Sequence, residues 1–254
     1  MKKQGGLFVA LSALFLAAAC SDQATAPEEQ IEELSTSEQM TIVATELASA
    51  NGGVMADLQM LAEAGGNGSA TLAKSNGLDT TVTRGWITYQ MSLAFYTENG
   101  VEQRDFVPGV TDSVAYQSTL SGQYSDPVLD INLDTGSSLG AAGLKSLVLR
   151  VNGTGYNRSD YMITGKQRKL AIAAASSYEV QNVVVDLNAQ DPFPSSGLLV
   201  GTLKGTYTVE GLRGSGSKDY EFTVTLEFTG SKEVTVTLPN GTQFTLNLET
   251  GQIS

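Results

Sequence analysis

Tyr220-Glu221-Phe222-Thr223-Val224-Thr225-Leu226-Glu227-Phe228 alternates apolar and polar residues without a break. Successive side chains of an extended strand point to opposite faces, so this stretch carries one apolar and one wet face. Ile87, Tyr89, Met91, Leu93 and Phe95 repeat the pattern against Thr88, Gln90, Ser92 and Ala94. Such alternation predicts strands that bury only one side. Residues 113–122, 144–152, 169–175, 178–187, 198–209, 232–238 and 242–248 also read as strands, with weaker signals at 128–133 and just after Val101. No long helical pattern separates them, so neighbours in sequence should pair antiparallel. Each apolar face needs cover. The expected fold is therefore mainly β: an antiparallel meander over 81–254 forming a barrel, a half-barrel or a sandwich.

The last hairpin tests the register. A two-residue Asn240-Gly241 loop would set Val236 opposite Thr245, mixing the faces. A three-residue loop, Pro239-Asn240-Gly241, sets Leu238 opposite Thr242, Val236 opposite Phe244 and Val234 opposite Leu246. A one-residue slip moves every apolar side chain to the wet face, so the second register is expected. Pro first and Gly last also suit a type I turn closing in a left-handed bulge.

Upstream of residue 81 the period changes. Ser35-Thr36-Ser37-Glu38 fits the capping box, and Met40, Val43, Ala44 and Leu47 recur at helical spacing. Asn51-Gly52-Gly53 should end that helix. Val54, Leu58 and Leu61 suggest a second short one, which gives a helical segment over 36–64. Residues 65–80, rich in Gly, Ser and Asn, read as a loop.

The chain opens with Met1-Lys2-Lys3, an apolar run of thirteen residues from Leu7 to Ala19, and Cys20, its single cysteine. A charged start, a short apolar core and a small-residue exit make a secretory signal over 1–19, too short for the about 20 residues of a spanning helix. Ala17-Ala18-Ala19 fits the small-residue rule of ordinary secretion. Leu16-Ala17-Ala18-Ala19-Cys20 also resembles the lipobox of bacterial lipoproteins, with Ala17 where that class prefers Leu. The resemblance covers only this N-terminal stretch. It implies cleavage before Cys20, a diacylglycerol thioether on its sulfur, acylation of the new amine, and a place in the cell envelope. Ser21 rather than Asp after the cysteine implies the outer membrane. Several acyl chains on one residue hold a protein firmly to a bilayer. Residues 20–35 then form a flexible acidic tether through Glu28, Glu29, Glu32 and Glu33.

Composition excludes more than it assigns. The net charge of −12 becomes −14 once Lys2 and Lys3 leave with the signal. That opposes nucleic acid, which needs a basic surface. There is no histidine and no second cysteine, so Ser-His-Asp and Cys-His catalysis and intrachain disulfides are excluded.

Little else carries chemistry. Asp130, Asn132 and Asp134 would share one strand face and are the best metal candidates. An EF-hand would need Gly and Glu at Thr135 and Ala141. Lys166-Gln167-Arg168-Lys169 is the one basic cluster and reads as a hairpin end. Gly214-Ser215-Gly216 reads as a turn, since no helix follows for a phosphate loop. Trp86 falls on the opposite parity from Ile87 and Tyr89. No catalytic residues and no cofactor are assigned. The expected function is a non-catalytic, lipid-anchored envelope protein with a β-rich binding or structural domain, attached to the membrane through Cys20. A carrier of an apolar ligand is the alternative, and a carboxylate-based hydrolase is third.

Overall fold

The computed structural model describes residues 34–47, 57, 58, 61, 79–189, 193–211, 214–248 and 250–254. The expected signal peptide, Cys20, most of the tether and nearly all of the 65–80 loop lie outside the described residues.

Among the described residues one helix and eleven strands are bounded, in chain order α1 (Thr36–Leu47), β1 (Asp79–Arg84), β2 (Ile87–Thr97), β3 (Glu102–Gln103), β4 (Thr111–Ser125), β5 (Leu129–Ala142), β6 (Val148–Thr164), β7 (Arg168–Asp186), β8 (Pro194–Gly211), β9 (Gly214–Glu227), β10 (Glu233–Thr237) and β11 (Gln243–Asn247), and Asp57, Leu58 and Leu61 are also helical, where the second short helix is expected. All strands join one antiparallel sheet ordered β1-β2-β4-β5-β6-β7-β8-β9-β10-β11, with β3 on the edge of β2. The meander is as expected. A closed barrel is not what forms: among the described residues no ladder joins β1 to β11, so the sheet is open.

Even open, the sheet cannot be flat. Ten strands at about 4.8 Å spacing span about 45 Å, whereas the twelve residues of α1 reach only about 18 Å. Yet Phe95 on β2, Leu199 on β8, Val224 on β9 and Leu246 on β11 are all fully buried in one continuous core. The sheet must curl or fold over so that both ends share that core, as in a half-barrel or a sandwich. Its inner face receives α1 through Ile42, Val43, Ala44 and Leu47. Each fully buried Val or Leu contributes about 1.5–3 kcal/mol, so these side chains hold the helix in place.

The helix starts where the capping box places it. Ser35 N donates to Glu38 Oε2 at 2.8 Å, and Glu38 N donates to Ser35 Oγ at 3.3 Å. The final hairpin takes the expected register, pairing Val236 with Phe244 and Val234 with Leu246. Leu238 N donates to Thr242 O at 2.9 Å, and Gly241 sits at φ 80°.

Several boundaries move. The expected strands 169–175 and 178–187 are one strand, β7. The strand expected over 144–152 begins at Val148 and runs on to Thr164 as β6. Gly214-Ser215-Gly216 opens β9 instead of forming a turn. Lys166 and Gln167 do lie in the β6–β7 hairpin end. Trp86 belongs to the β1–β2 turn. Its ring covers Gly122, where an added Cβ would stand 2.8 Å from it, and meets Tyr124 at 5.9 Å between ring centres.

Candidate functional site

Asp130, Asn132 and Asp134 do share the outer face of β5. A strand spaces same-face residues by about 6.8 Å, so the outer two stand about 13 Å apart along β5. Ligands held 2.3–2.6 Å from one calcium ion cannot be that distant. Asp134 instead accepts from the Tyr156 hydroxyl at 3.2 Å. No group of three or more His, Cys, Asp or Glu side chains among the described residues is placed to hold a metal. Asp130 does line, with Asp160, Met162, Ala171, Ala173 and Thr206, a shallow outer groove of about 300 Å³. The groove follows from small side chains along β7 between longer ones on β6 and β8.

The more organised chemistry lies on the inner face, where two carboxyls descend from the N-terminal segment. Glu46 is 3% exposed and Asp57 8%. Glu46 falls four residues after Ile42 and three after Val43, hence on the buried side of α1. Its Oε2 accepts from Asn157 Nδ2 at 2.5 Å, Ser176 Oγ at 3.1 Å and Tyr178 OH at 3.4 Å. Asn157 and Ser176 are direct partners across β6 and β7. Burial raises the Glu46 carboxyl above its ordinary value, and these three donors only partly offset the rise. No lysine or arginine contributes. Burial, followed by the Glu46 charge, pushes the Tyr161 hydroxyl up to about 12 and raises Tyr178 and Tyr220 as well.

Asp57 sits over β4 and β5 in a chain of hydroxyls. Tyr116 OH donates to its Oδ1 at 2.7 Å and Ser118 Oγ at 2.9 Å. A hydroxyl has one proton to give, so Tyr89 donates to Tyr116, at 2.5 Å, and Ser137 donates to Ser118, at 2.9 Å. Burial raises the Asp57 carboxyl too, against the lowering effect of Tyr116, Ser137 and Ser118.

The two carboxyls occupy separate seats. The Asp57 seat centres on β4–β5 and the Glu46 seat on β6–β7, about 10 Å apart by strand spacing. Both are closed to solvent and committed to donors. Such groups fasten the helical segment to the sheet. Around Glu46, three fully enclosed atoms lack a hydrogen bond of good geometry: Asn157 Oδ1, Ser159 Oγ, which lies toward the Tyr161 hydroxyl, and Tyr220 OH.

None of these inner residues is among the sequence candidates. Glu46 could have been found from its place on the apolar side of the α1 pattern. Asn157, Ser159 and Ser176 gave no signal, because polar residues at inward positions look like an interruption of the strand.

No family model, no curated protein and no solved structure matches the chain.

Proposed function

We propose that this chain is a non-catalytic, lipid-anchored envelope protein whose open sheet is a binding module. The observation that carries the non-catalytic reading is the sealing of Glu46 and Asp57. A general acid or base must reach a substrate proton within hydrogen-bond distance or through one water. Both carboxyls are instead enclosed and bonded to their own sheet. Attachment rests on Leu16-Ala17-Ala18-Ala19-Cys20 and on Cys20 being the single thiol of the chain. The carrier reading keeps one specific support: the three enclosed polar atoms around Glu46 that lack a well-formed hydrogen bond.

The anchor has a direct test. The protein produced in a bacterial host should fractionate with membranes, and its intact mass should equal a chain beginning at Cys20 plus diacylglyceryl and amide-linked acyl groups. Cys20→Ala should appear in the soluble fraction. An unmodified mature chain, or a Cys20→Ala protein that stays with the membrane, would remove the anchor.

A further inference from the structure

Two neighbouring rows cross the inner face. Ser159, Ala174, Gly205 and Tyr220 are successive cross-strand partners on β6, β7, β8 and β9. One step along the same strands, Ile131, Tyr161, Ile172 and Tyr207 form the next row. The first row is small at its centre. A Cβ added to Gly205 would stand 2.6 Å from Tyr220 OH, so that hydroxyl lies over β8. Ser159 lies on the far side of Ala174. Asn157, two residues before Ser159, turns its amide nitrogen to Glu46, which leaves its oxygen free.

Asn157, Ser159 and Tyr220 are each more than nine-tenths buried. A buried polar atom with no partner costs about 1–3 kcal/mol. Three such atoms on one inner face, two on β6 and one over Gly205 of β8, are therefore an expense that a ligand would offset. The adjoining row offers two isoleucines and the rings of Tyr161 and Tyr207. Ile131 and Ile172 are buried there but stand outside the continuous core.

We propose that Asn157, Ser159 and Tyr220 form the polar floor of an inner-face site for the uncharged, hydroxyl- or amide-bearing head of an apolar molecule. One acceptor and two hydroxyls match a head that both donates and accepts. An anionic head finds no cation to receive it. Lys218, on the inner side of β9, is tied to Glu38 at 3.5 Å. The group beside Asn157 is the Glu46 carboxyl, which supplies no cation either. The apolar part of the molecule follows the Ile131–Tyr207 row.

This inference rests on the reading of the domain as a binding module. The test titrates the purified full chain with 1-monooleoylglycerol and, separately, with oleate, followed by native mass spectrometry. The glycerol ester should form a saturable one-to-one complex at least about tenfold tighter than oleate, the equivalent of one good hydrogen bond. Ser159→Ala combined with Tyr220→Phe removes two enclosed oxygens that make no well-formed hydrogen bond within the protein. The ligand-free thermal midpoint should then hold or rise, while affinity for the ester falls about tenfold or more. No saturable complex, equal binding of oleate, or full affinity in the double variant would overturn the proposal. So would a fall in the ligand-free midpoint, which would give the two hydroxyls to the fold itself. These failures leave the anchor reading intact, because that one fails on the Cys20 result alone.

Discussion

Glu46→Ala should destabilise the domain by about 3 kcal/mol, because it leaves the Asn157, Ser176 and Tyr178 donors without their acceptor inside the core. In a domain of this size that is a fall of about 6–12 °C in thermal midpoint. Glu46→Gln keeps the shape and an acceptor oxygen, and should behave differently. The folded state holds the Glu46 proton more tightly than the unfolded state, since its value is raised from 4.5. The stability contributed by this site is therefore fully present below about pH 4.5 and is lost as pH rises through the raised value. Wild type should be more stable near pH 5 than near pH 8. Glu46→Gln should flatten that slope and be at least as stable as wild type at pH 8. Asp57, also raised, supplies the remaining slope, which Asp57→Asn should remove. Thermal unfolding at both pH values for the four proteins checks this, and an unchanged slope in Glu46→Gln would show that Glu46 is ionised in the fold at both.

The second large effect is expected at Gly153. It stands at φ 154°, at the register shift between β6 and β7, and a Cβ there would lie 2.2 Å from the Ser138 carbonyl oxygen and 2.8 Å from Leu139 Cα. Both obstacles are backbone, so no side chain can swing away. Gly153→Val forces β5 and β6 apart in the middle of the sheet and should cost about 4 kcal/mol or more. Gly241 is the contrast. It too has positive φ, at 80°, but open space surrounds it. Gly241→Asn should cost about 1 kcal/mol or less, since Asn tolerates the left-handed region. Urea unfolding of the pair separates steric exclusion from conformational preference.

The difference between what the sequence shows and what it hides has one physical origin. Where the inner face is apolar, alternation is clean: β2, β9, β10 and β11 were legible, down to the pairing of Val236 with Phe244. Where the inner face becomes polar, alternation vanishes although the strand continues. The second half of β6 places Gly155, Asn157 and Ser159 inward, and β5 does the same with Thr135 and Ser137. Ser176 interrupts the apparent pattern of β7 because it points in to bond Glu46. The strand ends that were missed and the candidate site that was missed are thus the same residues. A buried polar network satisfied by tertiary partners leaves no periodic trace. Its partners, Glu46 and Asp57, lie more than 60 residues from most of the groups they bind, and only folding brings them together.

The outer-face candidates failed for the opposite reason. Asp130, Asn132 and Asp134 are close in sequence, but extended backbone separates their side chains. Proximity along a strand is not convergence in space.

The N-terminal helix is an integral inner wall of the open sheet. Hydrogen exchange followed by mass spectrometry tests this directly. Val43 and Leu47 are as fully buried as Val224 and Leu226. The amides of the Thr36–Leu47 peptide beyond its first turn should then exchange only through global unfolding, with the same free energy as the Val224–Leu226 strand. Exchange of those helix amides within seconds, while the sheet stays protected, would show that the helix is not part of the sheet's core.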